Sequence, residues 1–201
     1  TALGRESLNR NTTASSNTAV GYQAAYSNTT GTPNTSVGYA SLKLNTTGGN
    51  NNAFGFNSLA ANTTGGQNIA MGGSSLAGNT TGSNNTAIGD AALASNTTAS
   101  YSTAVGYQAL YDNTTGANNT GIGAFALSNN TTASENTAVG YEAMLTNTTG
   151  HSNTAIGRRN MRSTTTGTRN TSVGFNSMYY NTSGADNVGV GNSALQGNTT
   201  G

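Results

Sequence analysis

The sequence predicts an all-β chain wound as a parallel β-solenoid of twelve 17-residue coils, and three observations predict it. A glycine recurs without insertion or deletion at Gly4, Gly21, Gly38, Gly55, Gly72, Gly89, Gly106, Gly123, Gly140, Gly157, Gly174 and Gly191. The residue before it is apolar in every copy, and every copy closes on an Asn-Thr-Thr-like turn. A strict short period makes each copy one coil that buries its apolar side only against its neighbours. Residues 1–201 are expected to be a single continuous array, a segment of a longer fibre.

The consensus is N-T-A-V-G-Y-Q-A-L-Y-S-N-T-T-G-x-x, and its elements follow in order. Thr-Ala-Val supplies a short strand, with the column Leu3, Val20, Val37, Phe54, Met71, Ile88, Val105, Ile122, Val139, Ile156, Val173 and Val190 expected to point inward. One residue earlier the side chain is small, as in Ala19, Ser36, Ala53 and Gly121, so another backbone or a tight turn is expected to approach there. The glycine bends the chain. Ala-Leu-x-x is expected to form a second short strand, with Leu or Met four residues past the glycine in most copies and Ala25 the exception. Helices are the wrong reading, because the apolar columns stand five and then twelve residues apart, with Gly, Asn and Thr between. Parallel stacking at about 4.8 Å per coil gives a length of roughly 58 Å.

The return turn is the most regular part. Asn opens it at Asn11, Asn28, Asn45, Asn62, Asn79, Asn96, Asn113, Asn130, Asn147, Asn181 and Asn198, with Thr164 the exception. Asparagine can close a turn through its own side chain and can form an amide ladder with its copies. A second asparagine column precedes the strand (Asn17, Asn34, Asn51, Asn68, Asn85, Asn119, Asn136, Asn153, Asn170, Asn187), and Ser102 is expected to break it. The turn motif is also an N-glycosylation acceptor, although sugars at the coil spacing would crowd.

Composition narrows the function. Apolar residues make up 33% and charged residues 6%, with a net charge of +1. Such a chain needs neither nucleic acid nor an anionic membrane as partner, and no stretch approaches the roughly 18 apolar residues of a membrane span. The absence of cysteine fits an extracellular fibre strengthened by backbone ladders.

Asn17-Thr18-Ala19-Val20-Gly21, repeated as Asn85 to Gly89 and Asn153 to Gly157, resembles the head-repeat motif of trimeric autotransporter adhesins. The wider N-T-A-V-G, A-L and N-T-T-G array resembles those of long bacteriophage tail fibres. The resemblance implies a left-handed β-roll with three chains side by side. This chain departs from the adhesin heads in its longer, 17-residue coil.

Catalytic chemistry finds little footing. Glu6, Asp90, Asp112, Glu135, Glu142 and Asp186 fall in different columns, and His151 is the only histidine. No catalytic residue, metal site or cofactor is expected, and the chain is read as no enzyme. Two features remain as candidate surface contacts. Aromatic residues follow the glycine at Tyr22, Tyr39, Phe56, Tyr107, Tyr141 and Phe175, where Tyr22, Tyr39 and Phe56 should stack as a chain interface or a sugar-binding strip. Arg158, Arg159, Arg162 and Arg169 cluster in the least regular coils, as a solvated face or an anionic-glycan contact.

The expected function is structural and adhesive: a shaft or head segment of a trimeric surface adhesin or phage tail fibre, at a cell surface or virion tail. Its partners would be further copies of itself and a cell-surface glycan or receptor. The alternatives are an ice-binding solenoid and the subunit of a polymerising extracellular filament.

Overall fold

The computed structural model describes all residues 1–201. Each copy contributes one strand: β1 (Ala2–Leu3), β2 (Thr18–Val20), β3 (Asn34–Val37), β4 (Asn51–Phe54), β5 (Ile69–Met71) and β6 (Thr86–Ile88). The series continues as β7 (Thr103–Val105), β8 (Thr120–Ile122), β9 (Thr137–Val139), β10 (Thr154–Ile156), β11 (Thr171–Val173) and β12 (Val188–Val190). They pair in chain order as one parallel sheet. Each residue lies beside its equivalent one period on, as Thr120 beside Thr137 and Ile122 beside Val139. Only 23 of the 135 backbone hydrogen bonds lie within strands, so the coil-to-coil ladder continues around the turns. The chain is a parallel β-solenoid without helices, as its period predicts.

The strand faces are the reverse of the expectation. The small column is buried (Ala19, Ser36, Ala53, Ala70, Ala87, Ala104, Ala138, Ala155, Ser172), while Phe54, Met71, Ile88, Ile122, Ile156 and Val173 on the apolar column are exposed. Neighbouring strand residues face opposite sides, so only one column can enter. The interior has room only for the small one, because the Leu and Met side chains four residues past each glycine already fill it. A Cβ added at Gly121 would stand 3.2 Å from Leu110 Cγ. Leu42, Leu59, Leu76, Leu93, Leu110, Leu127, Met144, Met161 and Met178 pack with the alanines as one continuous core. Ala25, too short to join it, leaves Ala19 and Ala24 in a separate small cluster against Leu8.

The expected second strand is absent. Past the glycine the chain runs through successive turns with left-handed residues at alternate positions, as at Gln108 (φ 51°) and Leu110 (φ 53°). This backbone buries two consecutive side chains, Ala109 and Leu110, which an alternating strand cannot do. The left-handed conformation costs a branched residue roughly 1–2 kcal/mol. Coil-to-coil bonds offset it: the Gln108 N–H donates to Asp90 O at 3.0 Å, and the Leu110 N–H to Ala126 O at 2.9 Å on the opposite side.

Two asparagine columns clamp the bends. In the turn column, from Asn28 to Asn147, Nδ2 of each residue donates to Oδ1 of the copy before it, as from Asn62 to Asn45 at 2.7 Å and from Asn79 to Asn62 at 2.8 Å. In the column before the strand, Oδ1 accepts the next copy's backbone N–H, as Asn68 Oδ1 does from Asn85 at 3.0 Å. Both columns meet on one carbonyl per coil: Gly82 O accepts from Asn79 at 3.0 Å and from Asn68 at 2.9 Å. Ser102 does not break its column, since its hydroxyl accepts the Asn119 N–H at 3.3 Å. The first threonine of each turn adds a third ladder, Thr80 Oγ1 donating to Thr97 O at 3.0 Å.

Thr164 does interrupt the turn ladder. Its hydroxyl and Asn147 Oδ1 are both buried without a partner. Thr164→Asn is expected to supply the missing donor and raise stability by about 1–2 kcal/mol, read as a higher denaturation midpoint. An unchanged or lower midpoint would mean that the ladder contributes nothing at this coil.

Candidate binding surface

The outer face of the sheet carries two regular columns. One is the apolar column, with Met71 42% and Ile156 41% exposed. The other, two residues earlier, is mostly threonine, with Thr86, Thr103, Thr120, Thr137, Thr154 and Thr171 in consecutive coils. Facing residues register strand to strand, so the face is one continuous apolar and hydroxyl stripe along the axis.

The aromatic column stands beside this stripe, past the glycine bend. Tyr22 stacks on Tyr39 at 5.2 Å and 24°, and Tyr39 on Phe56 at 5.3 Å and 16°. The rings therefore meet face to face along the axis and present their edges outward. A sugar ring needs an open aromatic face, and the stack itself occupies both faces of Tyr39. Further along, Phe125 fills the place beside Ala124 edge-on, 5.2 Å from Tyr107 and 6.2 Å from Tyr141. Arg158 then lies between Tyr141 and Phe175, 5.8 and 5.7 Å from their centroids.

The four arginines do not converge. Arg159 and Arg162 both reach Glu142 Oε2, at 3.0 and 2.7 Å. Burial opposes ionisation of Glu142, but hydrogen bonds from Arg162, Tyr141 and Arg159 together hold its carboxyl below the usual range. Arg169 lies in a different turn and grips Asp186 with two bonds of 2.7 and 2.8 Å. Those bonds hold the Asp186 carboxyl low as well. Three of the four positive charges are thus engaged with carboxylates of the same chain, and Arg158 packs against rings. His151 is exposed, its Nδ1 3.3 Å from Ser152 Oγ.

The turn asparagines are ladder residues. From Asn28 to Asn147 each is buried, and in each Nδ2 is hydrogen-bonded, so the amide a glycan would join faces inward. Among the carboxylates, Glu135 accepts from Ser152 and Glu142 binds its arginines, so the two do not share a site.

Reading the sequence missed the outward stripe, although a signal for it was present. The apolar column accepts Leu, Val, Phe, Met and Ile, whereas the column before it accepts only Ala, Ser and Gly. A packed interior restricts side-chain volume and a surface does not. Comparison with known proteins returns no match: no family model, no curated protein and no solved structure is significantly similar to this chain.

Proposed function

We propose that the chain is a rigid segment of an extracellular attachment fibre, the shaft or head of a trimeric surface adhesin or phage tail fibre. The observation that carries this reading is the apolar stripe on the outer sheet face. It runs through every coil, over a length of roughly 58 Å, and a stripe that long marks an interaction surface. A second copy lying alongside in register offers the same axial repeat along its whole length. Closing three copies around one axis covers the face in all of them without leaving a free edge to propagate. The left hand of the winding and the trimer belong to this proposal, as does a receptor or glycan bound elsewhere on the fibre.

Light scattering tests it, with an expected mass of three times 20.1 kDa. The triple substitution Val105→Lys, Ile122→Lys and Val139→Lys places charges on the outer face and leaves the core untouched; it is expected to give folded monomers. A monomeric parent chain would overturn the reading.

The outward threonines favour a second reading, an ice-binding solenoid. The turn threonines such as Thr29 and Thr46 lie in a bend unsuited to ice, but the strand carries a regular face on which Thr and Val or Ile alternate outward. A monomer that arrests ice growth, and loses this on Thr120→Lys, would establish that alternative in place of the fibre.

A further inference from the structure

From Tyr22 to Phe175 the column after the glycine is a continuous run of ring contacts, interrupted only between Phe56 and Tyr107. Within that span the other two gaps are filled: Phe125 turns in beside Ala124, and Arg158 bridges Tyr141 and Phe175. In the interrupted stretch the two coils carry Gly73 and Asp90. Phe56 stacks on Tyr39 below, is 57% exposed, and has no side chain above it on Gly73. The Asp90 carboxylate leans into the vacancy, its Oδ1 2.6 Å from the point a Gly73 Cβ would occupy. Asp90 belongs to none of the ion pairs of the chain.

We propose that this notch is a binding site for an organic cation, a guanidinium or a quaternary ammonium group, seated on the Phe56 ring and paired with Asp90. Both walls carry negative potential, the ring through its quadrupole face and Asp90 through its charge. That combination selects a cation over a neutral sugar, which gains nothing from the charge. The chain contains its own precedent for a guanidinium against rings of this column, since Arg158 lies between Tyr141 and Phe175 five coils further on. The notch differs in spanning two coils, with a carboxylate in place of the second ring. It lies within one chain, so its chemistry does not rest on the fibre reading.

Methionine methyl NMR provides the test. Met71 lies two residues before Gly73 on the exposed face, whereas Met144, Met161 and Met178 are fully buried and serve as internal controls of folding. N-acetylarginine amide and choline are the two cationic probes, and methyl glucoside is the neutral one. A shallow site of this kind binds with a dissociation constant on the order of millimolar. At least one cation is expected to shift the Met71 signal saturably while the other three stay fixed, and the one that does so names the source of the cation. Asp90→Asn should weaken binding by about two- to fivefold, and added salt should weaken it too.

Gly73→Arg should abolish binding by filling the notch as Arg158 fills its own. That variant is compatible with the fold, because the same column already holds Arg5 and Arg158, and the obstructing atom is the mobile end of Asp90. The proposal is overturned if neither cation shifts Met71, if the glucoside shifts it equally, or if Asp90→Asn binds as the parent chain does.

Discussion

Gly89→Ala is expected to cost more than about 4 kcal/mol and to divide the array at its middle. Gly89 has φ +134°, a backbone region that side chains rarely enter, and an added Cβ would lie 2.5 Å from Gly106 O and 2.7 Å from its carbonyl carbon. The obstacle is backbone of the next coil, held by the sheet on both sides, so it cannot swing away as a side chain would. Relief requires the two coils to part, which breaks the Gly106 N–H bond to Ile88 O (2.8 Å) and the bonds beside it. Because each coil is stabilised chiefly through its neighbours, one failed contact lowers cooperativity along the stack.

The control is Gly82→Ala in the adjoining turn. An added Cβ there also meets backbone of the next coil, at Ala99 O, but that column already holds Ala14, Ala99 and Ala133 and imposes no left-handed φ, so the turn can yield and a cost below about 2 kcal/mol is expected. Chemical denaturation of both variants, with limited proteolysis to locate the break, separates the two positions. If Gly89→Ala unfolds no earlier than Gly82→Ala, positive φ combined with an unyielding neighbouring backbone is not what keeps glycine in this column.

The period made the solenoid legible, because a fixed interval leaves the chain only stacking as a way to bury anything. The turn ladder was legible too, since asparagine and threonine at fixed places have few other uses in a buried bend. What could not be read was the path between Gly106 and Asn113. Ala109 and Leu110 look like strand residues by composition, and only coil-to-coil hydrogen bonding makes left-handed Gln108 and Leu110 tolerable. Once that path turns leucine inward, Ala104 must face it and Val105 must face solvent. The error about the outer face thus followed from the error about the second strand. The notch at Gly73 was hidden for a related reason: a missing aromatic becomes a site only when its neighbours prove to stack along the axis.

Asn79→Asp is expected to cost about 3–5 kcal/mol at neutral pH, and the cost should shrink on acidification. Asn79 is fully buried, its Nδ2 donating to Asn62 Oδ1 at 2.8 Å and to Gly82 O at 3.0 Å, while its own Oδ1 accepts from Asn96 at 2.7 Å. Aspartate preserves the accepting oxygen but puts a second, anionic oxygen against two others. A proton on that oxygen restores one donor, so the folded chain favours the neutral acid and its pKa rises above the unfolded value near 3.9. Stability is then recovered as pH falls through the raised folded value and is complete below the unfolded one. A loss common to parent and variant runs the other way. Glu142 and Asp186 have depressed values, so their contribution is present above the ordinary carboxylate range and lost as pH falls through the folded values. The variant keeps both of these carboxylates, so they cancel in the difference, and the raised pKa at position 79 alone makes the curves for parent and variant converge toward low pH. Asn79→Ala, which removes the donor without adding a charge, should keep a constant deficit of about 2–3 kcal/mol. A deficit for Asn79→Asp that is equally constant would show that the amide column packs the bend without acting as a chain of donors. Thr164 supplies the natural counterpart, because the ladder runs in one direction and any residue unable to donate leaves the oxygen of the copy before it, there Asn147 Oδ1, without a partner.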